Sequence, residues 1–103
     1  MSEENFVSKL KDEIDVVERH LKILDIIIKE GPIGIIKLSE KTHLPPHKVR
    51  YSLRVLESNG LIKPSANGAM ITEKTEEFIN DFENIIQKIA AKIKSLEKLF
   101  APR

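Results

Sequence analysis

Two stripes of apolar residues, near opposite ends of the chain, keep the same rhythm. Val7, Leu10, Ile14, Val17, Leu21, Leu24 and Ile28 are separated alternately by three and four residues, and so are Ile79, Phe82, Ile86, Ile89, Ile93, Leu96 and Phe100. This is the repeat of a helix that offers a seam to another helix. The first stripe predicts one helix from Ser2 to Glu30, with Ser2 as its cap, Glu3 and Glu4 in its first turn, and Gly31-Pro32 as its stop. The second predicts a helix from Glu73 to Phe100, capped by Thr72 and closed by Pro102. Toward Glu30 the pattern changes: Ile23, Leu24, Ile26, Ile27 and Ile28 make the first helix apolar nearly all round, which only burial tolerates. Its last two turns therefore belong to a core, while its first half presents a single stripe.

Between the two seams the pattern is shorter and more broken. Ile33-Gly34-Ile35-Ile36 reads either as a brief strand or as an apolar entry to the next helix, which runs from Ile36 to Thr42 with Leu38 facing inward. His43-Leu44-Pro45-Pro46 then interrupts. The residue before a proline is pushed out of the α region, so Leu44 and Pro45 are extended, whereas Pro46 suits the first position of a new helix. In that helix Val49, Ser52, Leu53 and Leu56 share one face, and His47, Arg50, Tyr51 and Arg54 share the opposite one. Asn59-Gly60-Leu61 ends it with a left-handed cap that brings Leu61 onto Leu56. A short helix, a sharp corner and a second helix with a basic outer face make a helix-turn-helix, whose second helix enters the DNA major groove. Leu61-Ile62-Lys63 and Ala69-Met70-Ile71 follow as two strands joined by Pro64-Ser65-Ala66-Asn67-Gly68, in which Asn-Gly signals a hairpin.

Charge sharpens this division. The net charge of +1 hides a segregation: residues 1–30 carry five basic and eight acidic side chains, residues 31–68 six and two, and residues 69–103 six of each. Positive charge is concentrated around the proline corner, where an anionic partner is expected. At 103 residues the chain is one domain with a modest core, so a partner subunit would add stability. Without cysteine it has no disulfide, thiolate metal site or Cys nucleophile, which fits the cytoplasm. No leader and no membrane-spanning run of about 18 apolar residues is present. The Ile- and Lys-rich composition hints at a thermophilic or AT-rich source.

The order of these features over residues 31–77 resembles the winged-helix domain of prokaryotic, especially archaeal, transcriptional regulators. The residues that carry the likeness are LSEKT, the LPP corner, V-x-x-x-L-x-x-L-E-x-x-G-L-I and a wing ending in I-T-E-K. Long helices on both sides of the winged helix are similar to those of MarR-like and PadR-like regulators, although this chain is shorter than typical MarR-like proteins. The resemblance implies a mainly α fold with a small β-hairpin wing at residues 61–71 and a recognition helix at 46–59. It implies DNA contact by Arg50, Tyr51 and Arg54 at base edges or phosphates, with His47 on the same face. It places Lys48 at the backbone and Lys63, Ser65 and Asn67 near the minor groove. Tyr51 keeps a second reading, as packing over the adjacent turn.

The two seams lead to an expectation of a homodimer, in which residues 2–22 and 78–103 flank a core of residues 23–77. Val7, Leu10, Ile14 and Val17, with Ile79, Phe82, Ile86, Ile89, Ile93, Leu96 and Phe100, would form its helical bundle; the alternative is a helical hairpin within one chain. Isoleucine at both seam positions, with Phe78, Ile85 and Leu99 beside them, favours more than two strands. Paired recognition helices would then read two half-sites of double-stranded DNA. His43 and His47 are four apart but separated by prolines and lack a third ligand, so no metal or other cofactor is expected. His20 reads as a surface or interface residue. No phosphate-binding glycine pattern or nucleophile–base arrangement appears, so no enzyme is expected. No polar cluster marks an effector pocket. Beside a sequence-specific regulator, an architectural DNA-binding protein and a winged helix used for protein contact stay open.

Overall fold

The computed structural model describes residues 4–102. Its elements are α1 (Phe6–Glu30), α2 (Ile35–Thr42), α3 (Pro46–Ser58), β1 (Ile62–Ser65), β2 (Gly68–Ile71) and α4 (Glu73–Leu96). The expected cap Ser2 lies outside the described residues. Helix α1 starts at Phe6, with Asn5 as its cap: Asn5 Oδ1 accepts from the amides of Val7 and Ser8, both at 2.9 Å, and the Asn5 amide donates to Ser8 Oγ at 3.0 Å. Glu4 therefore precedes the helix rather than sitting in its first turn. The reciprocal pair of side-chain bonds satisfies amides that the first turn leaves without partners, and that fixes the start.

At the corner, Thr42 ends α2, His43 takes the left-handed conformation at φ 59°, and Pro45 is extended at φ −65°, ψ 150°, so that Pro46 opens α3. The Ser39 hydroxyl donates to the Leu44 carbonyl, and Thr42 Oγ1 donates to the Leu38 carbonyl at 2.7 Å, which holds the corner shut. At the far end of α3 the Gly60 amide donates to the Glu57 carbonyl at 2.9 Å and the Leu61 amide to the Leu56 carbonyl at 3.0 Å. With Gly60 at φ 75°, this is the Schellman motif expected from Asn-Gly-Leu.

Two expectations about strands are corrected. Only Ile33 of Ile33–Ile36 pairs, as a single bridge to Ala69, because Ile35 already belongs to α2. The wing strands extend through Ser65 and from Gly68, leaving Ala66-Asn67 as a two-residue turn in place of the expected five-residue connection. Pro64 is tolerated opposite Ala69 because a two-stranded sheet has open edges on which a missing N–H costs no ladder bond. Gly68, at φ 120°, packs so closely that a Cβ there would lie 2.4 Å from the Ile33 carbonyl carbon.

The core is assembled from Ile23, Leu24 and Ile27 of α1, Ile33, Leu38 of α2, Val49 and Leu56 of α3, and Leu61 and Ile62 at the wing root. Helix α4 is tied to that root by its own cap. Thr72 Oγ1 donates to the Gly60 carbonyl at 2.6 Å, and the fully buried Thr75 donates its hydroxyl to the Leu61 carbonyl at 2.6 Å. Beyond this anchor α4 runs for 24 residues, about 36 Å at 1.5 Å per residue. It ends at Leu96, short of the expected Phe100; residues 97–100 form tighter turns before Pro102, and Phe100 is 95% exposed. Two short helices meeting at a corner and a two-stranded wing, with long helices before and after, make a mainly helical winged helix-turn-helix.

Candidate nucleic-acid interface

Packing decides which side of α3 faces outward. Val49, Ser52 and Leu56 are buried against the core and Leu53 is half-buried, so His47, Arg50 and Arg54 project on the opposite side and are exposed. Lys48 is exposed on the flank. Among the described residues no carboxylate oxygen lies within 4.0 Å of Lys48, Arg50, Arg54 or Lys63, whereas ion pairs hold Lys11, Lys22, Lys29, Lys41 and Lys94. Three of the four lysines of α1, all but Lys9, are neutralised locally; Lys48, Arg50 and Arg54 of α3 and Lys63 of the wing are left for an outside anion.

Tyr51 is 47% exposed. One side of it is taken by α1: the His20 ring lies 5.7 Å away, centroid to centroid, and the Arg19 guanidinium carbon 5.8 Å from its centroid. Tyr51 thus joins the outward face to the α1–α3 junction and serves both of its sequence readings in part. Behind it, Ser52 Oγ accepts from Arg19 Nε at 3.2 Å and lies 2.8 Å from His20 Nδ1. His20, read from sequence as a surface or interface residue, is half-buried here, and its pKa is lowered from the usual 6.5 by burial first and by the adjacent Arg19 charge second. Arg19 escaped the sequence reading, which placed Ser52 on the packed face of α3 but gave it no partner. The available signal was Ser52 itself, a hydroxyl in the middle of an apolar stripe, which needs a polar partner from another element.

On the wing, Lys63, Ser65 and Asn67 are all exposed. Ser65 also serves the wing's own turn, with its hydroxyl donating to the Gly68 carbonyl at 2.7 Å and accepting from the Asn67 amide at 3.3 Å. The fold therefore carries Arg50 and Arg54 on one outward face of α3, Lys48 on its flank, and Lys63, Ser65 and Asn67 exposed on the wing. His43 stands at the end of α2 and His47 in the first turn of α3; among the described residues no group of three or more His, Asp or Glu could hold a metal ion. Among the same residues no helix is long and apolar enough to cross a membrane.

The seam residues stand apart from this face. Val7, Leu10, Ile14, Val17, Ile79, Ile86, Ile89, Ile93 and Leu96 are between 38% (Ile93) and 62% (Val7) exposed. Phe82 is the exception: it packs on Phe78 at 5.7 Å and, with Leu21, Leu24, Ile28 and Ile79, lines a shallow groove between α1 and α4. A larger open groove of about 840 Å³ follows along α1, with Ile14, Val17, Leu21 and Ile26 on one wall and Leu44 and Ile86 opposite. Phe100, expected in the seam, lies past the end of α4 in the turns that close the chain.

Residues 18–63 match the winged helix-turn-helix DNA-binding family. Among solved structures the chain is similar to the activation domain of the phage T4 transcription factor MotA, at 26% identity and a TM-score of 0.59, over 74% of this chain and 82% of that one. None of the curated proteins matches it in sequence. The matched span takes in the core part of α1, all of α2 and α3, and the start of β1. Over residues 18–63 the chain is thus similar to winged helix-turn-helix DNA-binding domains, and its helices, corner and wing form that fold.

Proposed function

We propose that the chain is a homodimeric transcriptional regulator that binds double-stranded DNA in a sequence-specific way, with α3 in the major groove and the wing against the minor groove. The observation that supports this most directly is the outward face of α3. Arg50 and Arg54 are free of carboxylates within 4.0 Å among the described residues, while the opposite face of the same helix is locked into the core. Arginine offers a fork of donors that fits guanine edges or phosphate. His47 and Tyr51 stand beside the two arginines, Lys48 faces the backbone, and Lys63, Ser65 and Asn67 meet the minor groove.

The dimer draws on the two bare seams. Exposed apolar stripes, along the first half of α1 from Val7 to Val17 and along α4 from Ile79 to Leu96, are costly in water and mark an association surface. A two-fold bundle of residues 2–22 and 78–103 from two copies would cover them and hold two recognition helices about one DNA turn apart, roughly 34 Å. The whole chain then works as one unit inside the cell, and binding alone, with no catalytic group, carries its function.

The test is binding of the purified protein to the DNA upstream of its own gene and to an unrelated duplex of equal length, by fluorescence anisotropy at two salt concentrations. Preference for the upstream duplex that survives the higher salt is expected from base readout. Equal binding that collapses with salt would point to an architectural, phosphate-driven role. A second reading, in which the winged helix contacts protein, takes its support from the likeness to a domain described as an activation domain; absence of binding to any duplex would favour it.

A further inference from the structure

We propose that Arg19, on α1, is part of the same interface and grips a DNA backbone phosphate beside the recognition helix; this rests on the reading of α3 as the DNA-facing element. The geometry begins at Ser52, whose side chain is fully buried in the middle of the packed face of α3. Arg19 reaches it from α1 through Nε, at 3.2 Å. That bond holds the guanidinium by one edge. Its carbon lies 5.8 Å from the centroid of Tyr51, a residue 47% exposed that borders the outward face carrying Arg50 and Arg54. The guanidinium is therefore suspended at the margin where α1 crosses α3, between a buried hydroxyl and the exposed surface.

Its remaining donors are the two terminal amino groups. Among the described residues no carboxylate oxygen lies within 4.0 Å of them, although Glu18 precedes Arg19 in sequence and pairs instead with Lys22 at 3.3 Å. A cation half-withdrawn from water, fixed at one edge and lacking a carboxylate partner, is poised for an anion that arrives from outside. The planar pair of amino groups fits phosphate oxygens two at a time. Lys48 extends the same strip: it lies four residues before Ser52 and three before Tyr51, one turn earlier on the flank of α3. Arg19 and Lys48 thus form an edge that binds backbone irrespective of sequence, next to an α3 face that reads bases.

The experiment measures anisotropy of the full chain on the upstream duplex and on an unrelated duplex, over a salt series, for wild type, Arg19→Gln, Arg19→Lys and Arg54→Ala. Arg19→Gln keeps a side-chain N–H for Ser52 and removes the charge. We expect it to weaken binding to both duplexes by the same factor, about tenfold. The slope of log affinity against log salt should fall by about 1, the share of one phosphate. Arg19→Lys should restore the slope. A merely structural role would lower the active fraction and leave the slope unchanged, and thermal unfolding of each variant reports that loss separately. Wild-type affinity and slope in Arg19→Gln, with Arg54→Ala weakened, would overturn the assignment of Arg19 and leave the α3 reading standing. Unchanged binding in Arg54→Ala, with Arg19→Gln unchanged as well, would overturn both.

Discussion

Replacing Thr75 by valine should damage the protein more than replacing it by serine, although valine preserves the volume and serine does not. The Thr75 hydroxyl is fully buried, donates to the Leu61 carbonyl at 2.6 Å and accepts from the Thr72 amide at 3.0 Å. Valine fills the same space and removes both bonds. Each is worth about 1 kcal/mol net, and a buried carbonyl left without its donor adds about 1–3 kcal/mol, so the loss should be about 3–5 kcal/mol. Serine keeps both bonds and gives up one methyl group, about 1 kcal/mol. For a domain of about 100 residues, 1 kcal/mol moves the unfolding midpoint by about 4–8 °C. Differential scanning calorimetry at one fixed protein concentration should therefore place Thr75→Val at least 10 °C below wild type and Thr75→Ser between them. A valine variant as stable as wild type, or more stable than the serine variant, would refute the claim that hydrogen bonds rather than packing fasten α4 to the wing root.

Two further outcomes follow from the same structure. His20 has a pKa lowered by burial and by Arg19, so the unfolded chain binds a proton at higher pH than the folded one. Stability should then be full above about pH 6.5, the ordinary histidine value, and decline as pH falls through that region toward the lower folded value; His20→Gln should flatten that slope in urea titrations between pH 7.5 and 5, and an unchanged slope would remove His20 as its source. Ile89 is 49% exposed within one chain. In sedimentation equilibrium at micromolar concentration the wild type is expected to be a dimer and Ile89→Lys a folded monomer, and a monomeric wild type would refute the dimer.

Periodicity made the helices legible because each is long or strongly two-faced: the stripe from Leu21 to Ile28, the packed face of α3 and the Gly60 cap all follow from side chains within one element. What stayed hidden depends on contacts between elements. Pro64 reads as a loop residue until the wing is known to have open edges. Tyr51 shares a helical face with Arg54, and nothing within α3 announces that α1 lies along that flank with Arg19 and His20. Ser52 looks like a lapse in an apolar stripe until its two partners on α1, more than thirty residues away, are seen. The end of α4 was overestimated because the heptad continues to Phe100 while the backbone turns out of the helix after Leu96.

The central claim is that the outward face of α3 reads DNA. The most direct measurement is the affinity of the Arg50→Ala/Arg54→Ala variant for the upstream duplex against wild type, by anisotropy, with far-UV circular dichroism to show that both are equally helical. At about 1–3 kcal/mol for each arginine that holds a guanine, the expected result is a loss of at least tenfold and a collapse of the preference over unrelated DNA. Wild-type affinity and preference in a fully folded double variant would contradict it.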